Sequence, residues 1–189
     1  MNIVLLKDKF STLTTFIYFD QTQYLREKTT APEKLQQFIE EAKELSEDSN
    51  ADDRYILYGM IGNLLRIMEK PQEAINYLTW CLEHAVQEKH RSREIVSNIR
   101  LGEAFKYSNQ YERAFNCFDK ALYFCKVYQI HDYEDFSLQH KGKCFMELER
   151  FSEAEDCFDR ALDIRGKKGN QSLIDSTQQA IDLVKNLHN

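Results

Sequence analysis

The chain contains few residues that interrupt helices. Its 189 residues include two prolines and six glycines, the residue types that most often end or kink a helix. No run of 18 apolar residues is present, so the sequence predicts no membrane-spanning helix. The first residues, MNIVLLKDKF, reach charged side chains after a short apolar run and lack the apolar core of a secretory signal. We therefore expect a helical, soluble protein located in the cytoplasm.

The sequence also lacks the motifs of catalytic and metal sites. No C-x-x-C pair and no H-E-x-x-H motif occurs. The cysteines are therefore expected to be small, reduced, buried side chains: Cys81, Cys117, Cys125, Cys144 and Cys157. A net charge of −6 disfavours binding to a nucleic-acid backbone, which depends on clustered lysine and arginine. The sequence thus predicts no enzyme, no cofactor, no metal and no nucleic-acid or membrane partner.

Three segments of the chain align without a gap at a spacing of 40 residues, namely 60–82, 100–122 and 140–162. The aligned columns hold small or apolar residues, among them Gly62/Gly102/Gly142, Ala74/Ala114/Ala154, Leu78/Phe118/Phe158 and Leu82/Leu122/Leu162. Small residues at fixed offsets allow two helices to cross closely, while larger residues fill the space beside the crossing. Each repeat is therefore predicted to be a helix pair that needs neighbouring pairs to complete its core.

These segments resemble tetratricopeptide repeats, whose pattern is W-x2-L-G-x2-Y followed by A-x3-F. The second repeat fits best, through Leu101, Gly102, Phe105, Tyr111, Ala114, Phe118, Ala121 and Leu122. The third has Lys141 in the leucine column, and no repeat has the family's final proline. The period of 40 instead of 34 resembles the long-helix variant found in polarity and motor scaffolds and in bacterial peptide-sensing regulators. The resemblance implies an all-α, right-handed αα solenoid of antiparallel helix pairs with a C-terminal capping helix.

The predicted domain covers the whole chain, 1–189. Three repeats are expected at 53–89, 93–129 and 133–168, with a capping helix at 171–189. Residues 1–49 are interpreted as a degenerate leading helix pair, with helices over Leu13–Glu27 and Glu33–Leu45. Terminal repeats are usually atypical, because one of their faces meets solvent.

The resemblance places the binding surface on the concave face, which the first helix of each repeat lines. The candidate partner-binding residues are Asn63, Arg66, Arg100, Glu103, Lys106, Tyr107, Phe136, Gln139, Lys143 and Met146. The cations among them favour an acidic, partly apolar peptide or helix, since guanidinium groups pair with carboxylates. The alternative is that these cations pair with Glu103, Glu147 and Asp135 and merely solvate one face.

The chaperone-binding members of the family hold a C-terminal carboxylate with residues that this chain largely lacks. The corresponding positions here are Gly59, Asn63, Arg100, Phe136 and His140, and only Asn63 matches. The favoured interpretation is a non-catalytic adaptor or scaffold that binds a protein segment in its groove. The alternatives are a receptor for a short signalling peptide and an immunity or antitoxin protein that occludes a toxin. Self-association through the first pair stays open.

Overall fold

A computed structural model describes residues 3–188 of the chain; residues 1, 2 and 189 of the predicted domain lie outside this range. The helices of the described part are α1 (Ile3–Leu13), α2 (Pro32–Glu47), α3 (Ala51–Ile67), α4 (Pro71–Gln87), α5 (Arg91–Tyr107), α6 (Tyr111–Tyr128), α7 (Glu134–Glu147), α8 (Phe151–Lys168) and α9 (Gln171–His188). Helices α3 to α8 pack as three consecutive pairs, and α9 covers the last pair. The predicted αα solenoid with its capping helix is thus confirmed. No helix within 3–188 combines the length and the apolar character needed to cross a bilayer.

The N-terminal region corrects the prediction of a helix over Leu13–Glu27. It contains instead an antiparallel hairpin of β1 (Ile17–Asp20) and β2 (Arg26–Thr29). The run TTFIYF, residues 14–19, leads into β1 and includes its first three residues; it is rich in β-branched and aromatic residues, which favour strands. The turn begins where the Asp20 carboxylate accepts the Thr22 N–H at 2.9 Å. The helix expected over Glu33–Leu45 is present as α2.

Each close helix crossing depends on a glycine and the large residue 16 positions later. A Cβ on Gly102 would lie 2.6 Å from Cε1 of Phe118, and one on Gly142 would lie 2.6 Å from Cε1 of Phe158. Both aromatic side chains are fully buried. The repeated glycine column is therefore a requirement of the packing within each pair.

The turns repeat the 40-residue period through backbone geometry and not through residue type. The turn between the two helices of each repeat contains one residue in the left-handed conformation: Glu69, Asn109 or Glu149, with φ of 59°, 58° and 57°. The N–H of Lys70 donates to the C=O of Leu65 at 2.9 Å, closing the Schellman motif that ends α3. Corresponding bonds end α5 and α7. The shared turn geometry keeps successive pairs in register.

A buried polar network attaches α9 to the last pair. Arg165 of α8 donates from Nε to Asp135 of α7 at 2.9 Å and from Nη1 to Thr177 of α9 at 2.7 Å. Arg165 and Asp135 are 2 % and 0 % exposed. Lys168 donates to the second Asp135 oxygen at 2.5 Å. Arg165, near the C-terminal end of α8, therefore lies in the interior.

Candidate partner-binding groove

The hairpin crosses the concave face formed by α3, α5 and α7 and covers the C-terminal halves of these helices. Arg26 of β2 donates to Glu147 of α7 from Nε at 2.9 Å and from Nη2 at 2.6 Å. Lys106 of α5 lies 3.4 Å from the same carboxylate. Burial would raise the pKa of Glu147, but Lys106 and Arg26 hold it below its usual value. The hairpin is thus joined to two repeats through one buried carboxylate.

The next hairpin residue, Glu27, contacts α5 and α3. Its backbone N–H donates to the Tyr107 hydroxyl at 2.6 Å, and its carboxylate accepts Nη2 of Arg66 at 2.5 Å. Arg66 also lies 3.6 Å from Glu103, which is 3.0 Å from Nδ1 of His140. Burial opposes ionisation of Glu103, but Arg66 and His140 bring its pKa well below the usual range. The floor under the hairpin is therefore a connected ionic network.

Leu25, at the hairpin tip, extends the apolar core. Its side chain is 2 % exposed and packs in a cluster that includes Met146 and Phe158. Its carbonyl accepts Nζ of Lys143 at 3.2 Å. The Lys143 ammonium also lies 4.3 Å from the centre of the Phe19 ring. Burial, together with neighbouring Lys106, lowers the pKa of Lys143 to about 8.

The N-terminal halves of the same helices leave the groove open as a cavity of about 620 Å³, which we call the open groove. Its apolar walls are formed chiefly by Phe10, Tyr55, Ile56, Met60, Val96, Ile99 and Phe136. Arg100 lines it and packs on α3, since a Cβ on Gly59 would lie 2.5 Å from its Nη1. Among residues 3–188, no carboxylate forms an ion pair with Arg100, whereas Arg93 in the same cavity pairs with Asp52.

The ten predicted residues separate into three groups. Four line the open groove: Asn63, Arg100, Glu103 and Phe136. Five lie under the hairpin, where they are at most 8 % exposed: Arg66, Lys106, Tyr107, Lys143 and Met146. Gln139 is buried and accepts a hydrogen bond from Arg165. Of the covered cations, Arg66 and Lys106 form ion pairs within the chain, with Glu103 and Glu147 among their partners, whereas Lys143 donates to a backbone carbonyl. A partner-binding role for the open-groove residues stays a prediction.

Sequence reasoning missed two parts of this surface. Tyr55, Met60 and Arg93 line the open groove but were absent from the predicted set. Tyr55 and Met60 lie next to Ile56 and Gly59, and Arg93 lies about one helical turn before Val96, so a wider allowance around these inward positions would have included all three. The hairpin was missed although the run TTFIYFD carries a strand pattern.

Comparison with known proteins supports the repeat assignment. The tetratricopeptide repeat profile matches residues 96–127 and 137–168, within α5–α6 and α7–α8. The first repeat, which has Ile61, Pro71, Leu78 and Cys81 in place of the pattern residues, is not matched. None of the curated proteins matches the sequence.

Solved structures share the fold at low sequence identity. The apo form of RapI superimposes with a TM-score of 0.67 and 19 % identity over 84 % of this chain, which spans only 58 % of RapI. Another similar structure is a single-substitution variant of the TPR-like repeats of a putative kinesin light chain from Podosopora anserina. It superimposes with a TM-score of 0.65 and 12 % identity, and the match covers 97 % of this chain and 87 % of that chain. A second structure of those repeats gives 0.61 and 10 %, with 99 % and 96 % covered. The repeat columns, the profile matches and the fold together identify tetratricopeptide repeats in this chain, with the profile matched over residues 96–127 and 137–168.

Proposed function

We propose that the chain is a non-catalytic interaction module that binds an acidic, partly apolar segment of another protein in the open groove. The observation that carries this proposal is Arg100, a partly buried guanidinium without a carboxylate partner among the described residues. A carboxylate placed against Arg100 would form a charge-assisted hydrogen bond in a region partly shielded from water. Such bonds are stronger than those between neutral groups.

The neighbouring charges favour a ligand with one acidic group. Arg93 is neutralised by Asp52, and Glu103 is neutralised by Arg66. Burial keeps the pKa of His140 below its usual value despite the adjacent Glu103, which favours a neutral ring. Arg100 therefore supplies the uncompensated charge of the open groove. The aromatic and aliphatic walls would contact the apolar residues on either side of the acidic one.

A receptor for a short signalling peptide is the second candidate. The cavity volume of about 620 Å³ favours it, because pockets for small ligands commonly measure about 300–1,000 Å³. The long-helix repeats also resemble those of bacterial peptide-sensing regulators. In this alternative the same groove and the same arginine bind a free peptide instead of a segment of a folded protein.

The test uses peptides selected on the wild-type protein from a random dodecapeptide display library. We expect enrichment of acidic residues, and we expect Arg100→Glu to weaken binding by about 10- to 100-fold, since one charge-assisted hydrogen bond is lost. Arg160→Glu makes the same charge change on the exposed side of α8, where Arg160 forms an i,i+4 pair with Asp156. It should leave binding nearly unchanged. Equal affinities of the two variants would refute the assignment to Arg100.

A further inference from the structure

The outer edge of β1 is unpaired in the part of the chain that the structure describes. β1 pairs with β2 alone, in the register Tyr18 to Lys28 and Phe19 to Glu27. Thr30 donates its N–H to the carbonyl of Phe16 at 2.9 Å. In an antiparallel pair, residues alternate between facing the partner strand and facing away. The backbone groups of Tyr18 therefore point to β2, and those of Phe19 point outward.

The two edges of the hairpin have different surroundings. On the β2 edge, the outward N–H of Glu27 donates to the Tyr107 hydroxyl, so a side chain of the groove floor satisfies that donor. On the β1 edge, the N–H of Ile17 is bonded to the Thr14 carbonyl. The carbonyl of Ile17 and both backbone groups of Phe19 remain to accept or donate. An unpaired strand edge of this kind is a template for another extended segment.

A second cavity borders this edge. It measures about 440 Å³ and is lined by Ile17, Tyr18 and Phe19 of the hairpin. Phe10 and Asn63 line both this cavity and the open groove, so the two spaces adjoin. An extended segment that leaves the open groove past Asn63 therefore passes the free edge of β1.

We propose that the partner segment binds as a third strand on the outer edge of β1, with one residue opposite Phe19. This inference rests on the proposed function of the open groove. The residue opposite Phe19 would exchange two backbone hydrogen bonds with it, and a third bond would reach the Ile17 carbonyl. Main-chain bonds supply affinity in strand addition, and side-chain pockets supply specificity.

The position of Arg100 sets the spacing of the ligand's side chains. Arg100 packs on Gly59, which lies one helical turn from Asn63 on α3. Four helical residues advance about 6 Å, which an extended chain covers in about two residues. Residues two apart share a face of a strand. The acidic side chain and the side chain beside Asn63 would therefore be separated by one residue and point the same way.

The test compares Phe19→Pro with Phe19→Val, using the peptides selected on the wild-type protein. Proline removes the outward N–H and leaves the bonds of Tyr18 to β2, whereas valine keeps the N–H; both variants lose the ring over Lys143. We expect Phe19→Pro to bind about 10-fold more weakly or worse than Phe19→Val, which should bind within about 3-fold of wild type. Matching melting curves would show that both variants keep the fold.

Methylation of the peptide's backbone nitrogens provides a measurement independent of any protein variant. Strand addition predicts that methylation weakens binding at alternate residues, because only alternate N–H groups face β1. Equal binding by the two Phe19 variants, or a methylation profile without that alternation, would overturn the strand but leave the Arg100 result standing. A library that yields no binding peptide, or binding indifferent to Arg100→Glu, would overturn the proposed function itself.

Discussion

Replacing Gly102 by alanine tests the crossing geometry with a single methyl group. The added Cβ would lie 2.6 Å from Cε1 of Phe118 and 3.0 Å from two further ring atoms. The Phe118 ring is fully buried in the main core, so it can move only by displacing its neighbours. The backbone of α5 or α6 must therefore shift to accept the substitution.

The expected magnitude combines two opposing effects. Alanine in a helix interior is favoured over glycine by about 0.5–1 kcal/mol. Overpacking a well-packed core costs about 1–3 kcal/mol. Gly166→Ala in α8 supplies the control, because a Cβ there meets no atom within 4 Å. Gly166→Ala should stabilise the protein, and Gly102→Ala should be less stable than Gly166→Ala by about 1–3 kcal/mol, the cost of the clash alone.

Thermal and urea unfolding, followed by far-ultraviolet circular dichroism, measure this difference. For a chain of this size, 1 kcal/mol shifts the melting temperature by about 2–4 °C. We expect Gly166→Ala to melt above wild type and Gly102→Ala to melt clearly below Gly166→Ala. If Gly102→Ala melts as high as Gly166→Ala, the close contact between Gly102 and Phe118 does not exist and the helix crossing is wrong.

Two further predictions concern buried charges. Asp135→Ala leaves Arg165 buried without its carboxylate and should lower the free energy of unfolding by about 3–5 kcal/mol. The control, Asp163→Ala, removes an exposed i,i+4 partner of Lys167 and should change the free energy of unfolding little. Urea unfolding measures both variants, and equal losses would contradict the buried ion pair. The second prediction concerns Lys143, whose pKa in the folded state is lowered by burial and by Lys106 to about 8 from its usual value of 10.5. Between those two pH values the folded protein binds fewer protons than the unfolded chain. The free energy of unfolding should therefore rise with pH across that window. The rise should be on the order of 3 kcal/mol and should be absent in Lys143→Met; parallel profiles of the two proteins from pH 7.5 to about 10.5 would rule out a buried lysine at this position.

The repeated pairs could be predicted because their packing is recorded in residue types at a fixed period. Gly102 and Phe118 recur as Gly142 and Phe158 since the same contact recurs. The first helix of the predicted leading pair, over Leu13–Glu27, was a wrong extension of that period. Leu25 lies one 40-residue period before Leu65 by coincidence. In the structure it has a left-handed φ of 60° at the tip of the hairpin. A coincidence in one column carries no information about backbone conformation.

The groove was only partly predictable for a different reason. The resemblance to tetratricopeptide repeats implies which positions face inward, so residues such as Asn63 and Arg100 were expected on the concave side from the sequence. The hairpin contacts depend on pairs remote in the chain, with Arg26 and Glu147 separated by 121 residues. No local pattern records such a pairing, because each partner is also an ordinary surface residue type.

The charges of the groove are the basis for proposing an acidic ligand. Four cations lie on or over the covered floor: Arg26, Arg66, Lys106 and Lys143. They face three carboxylates: Glu27, Glu103 and Glu147. Lys143 donates a hydrogen bond to the carbonyl of Leu25 and pairs with no carboxylate within residues 3–188. Burial and the neighbouring Lys106 lower its pKa, which is consistent with an excess of cations over carboxylates. Arg100, which also lacks a carboxylate partner among the described residues, adds to that excess in the adjoining open groove. A protein with a net charge of −6 thus concentrates uncompensated positive charge in its groove, where it would favour an acidic segment over a basic one.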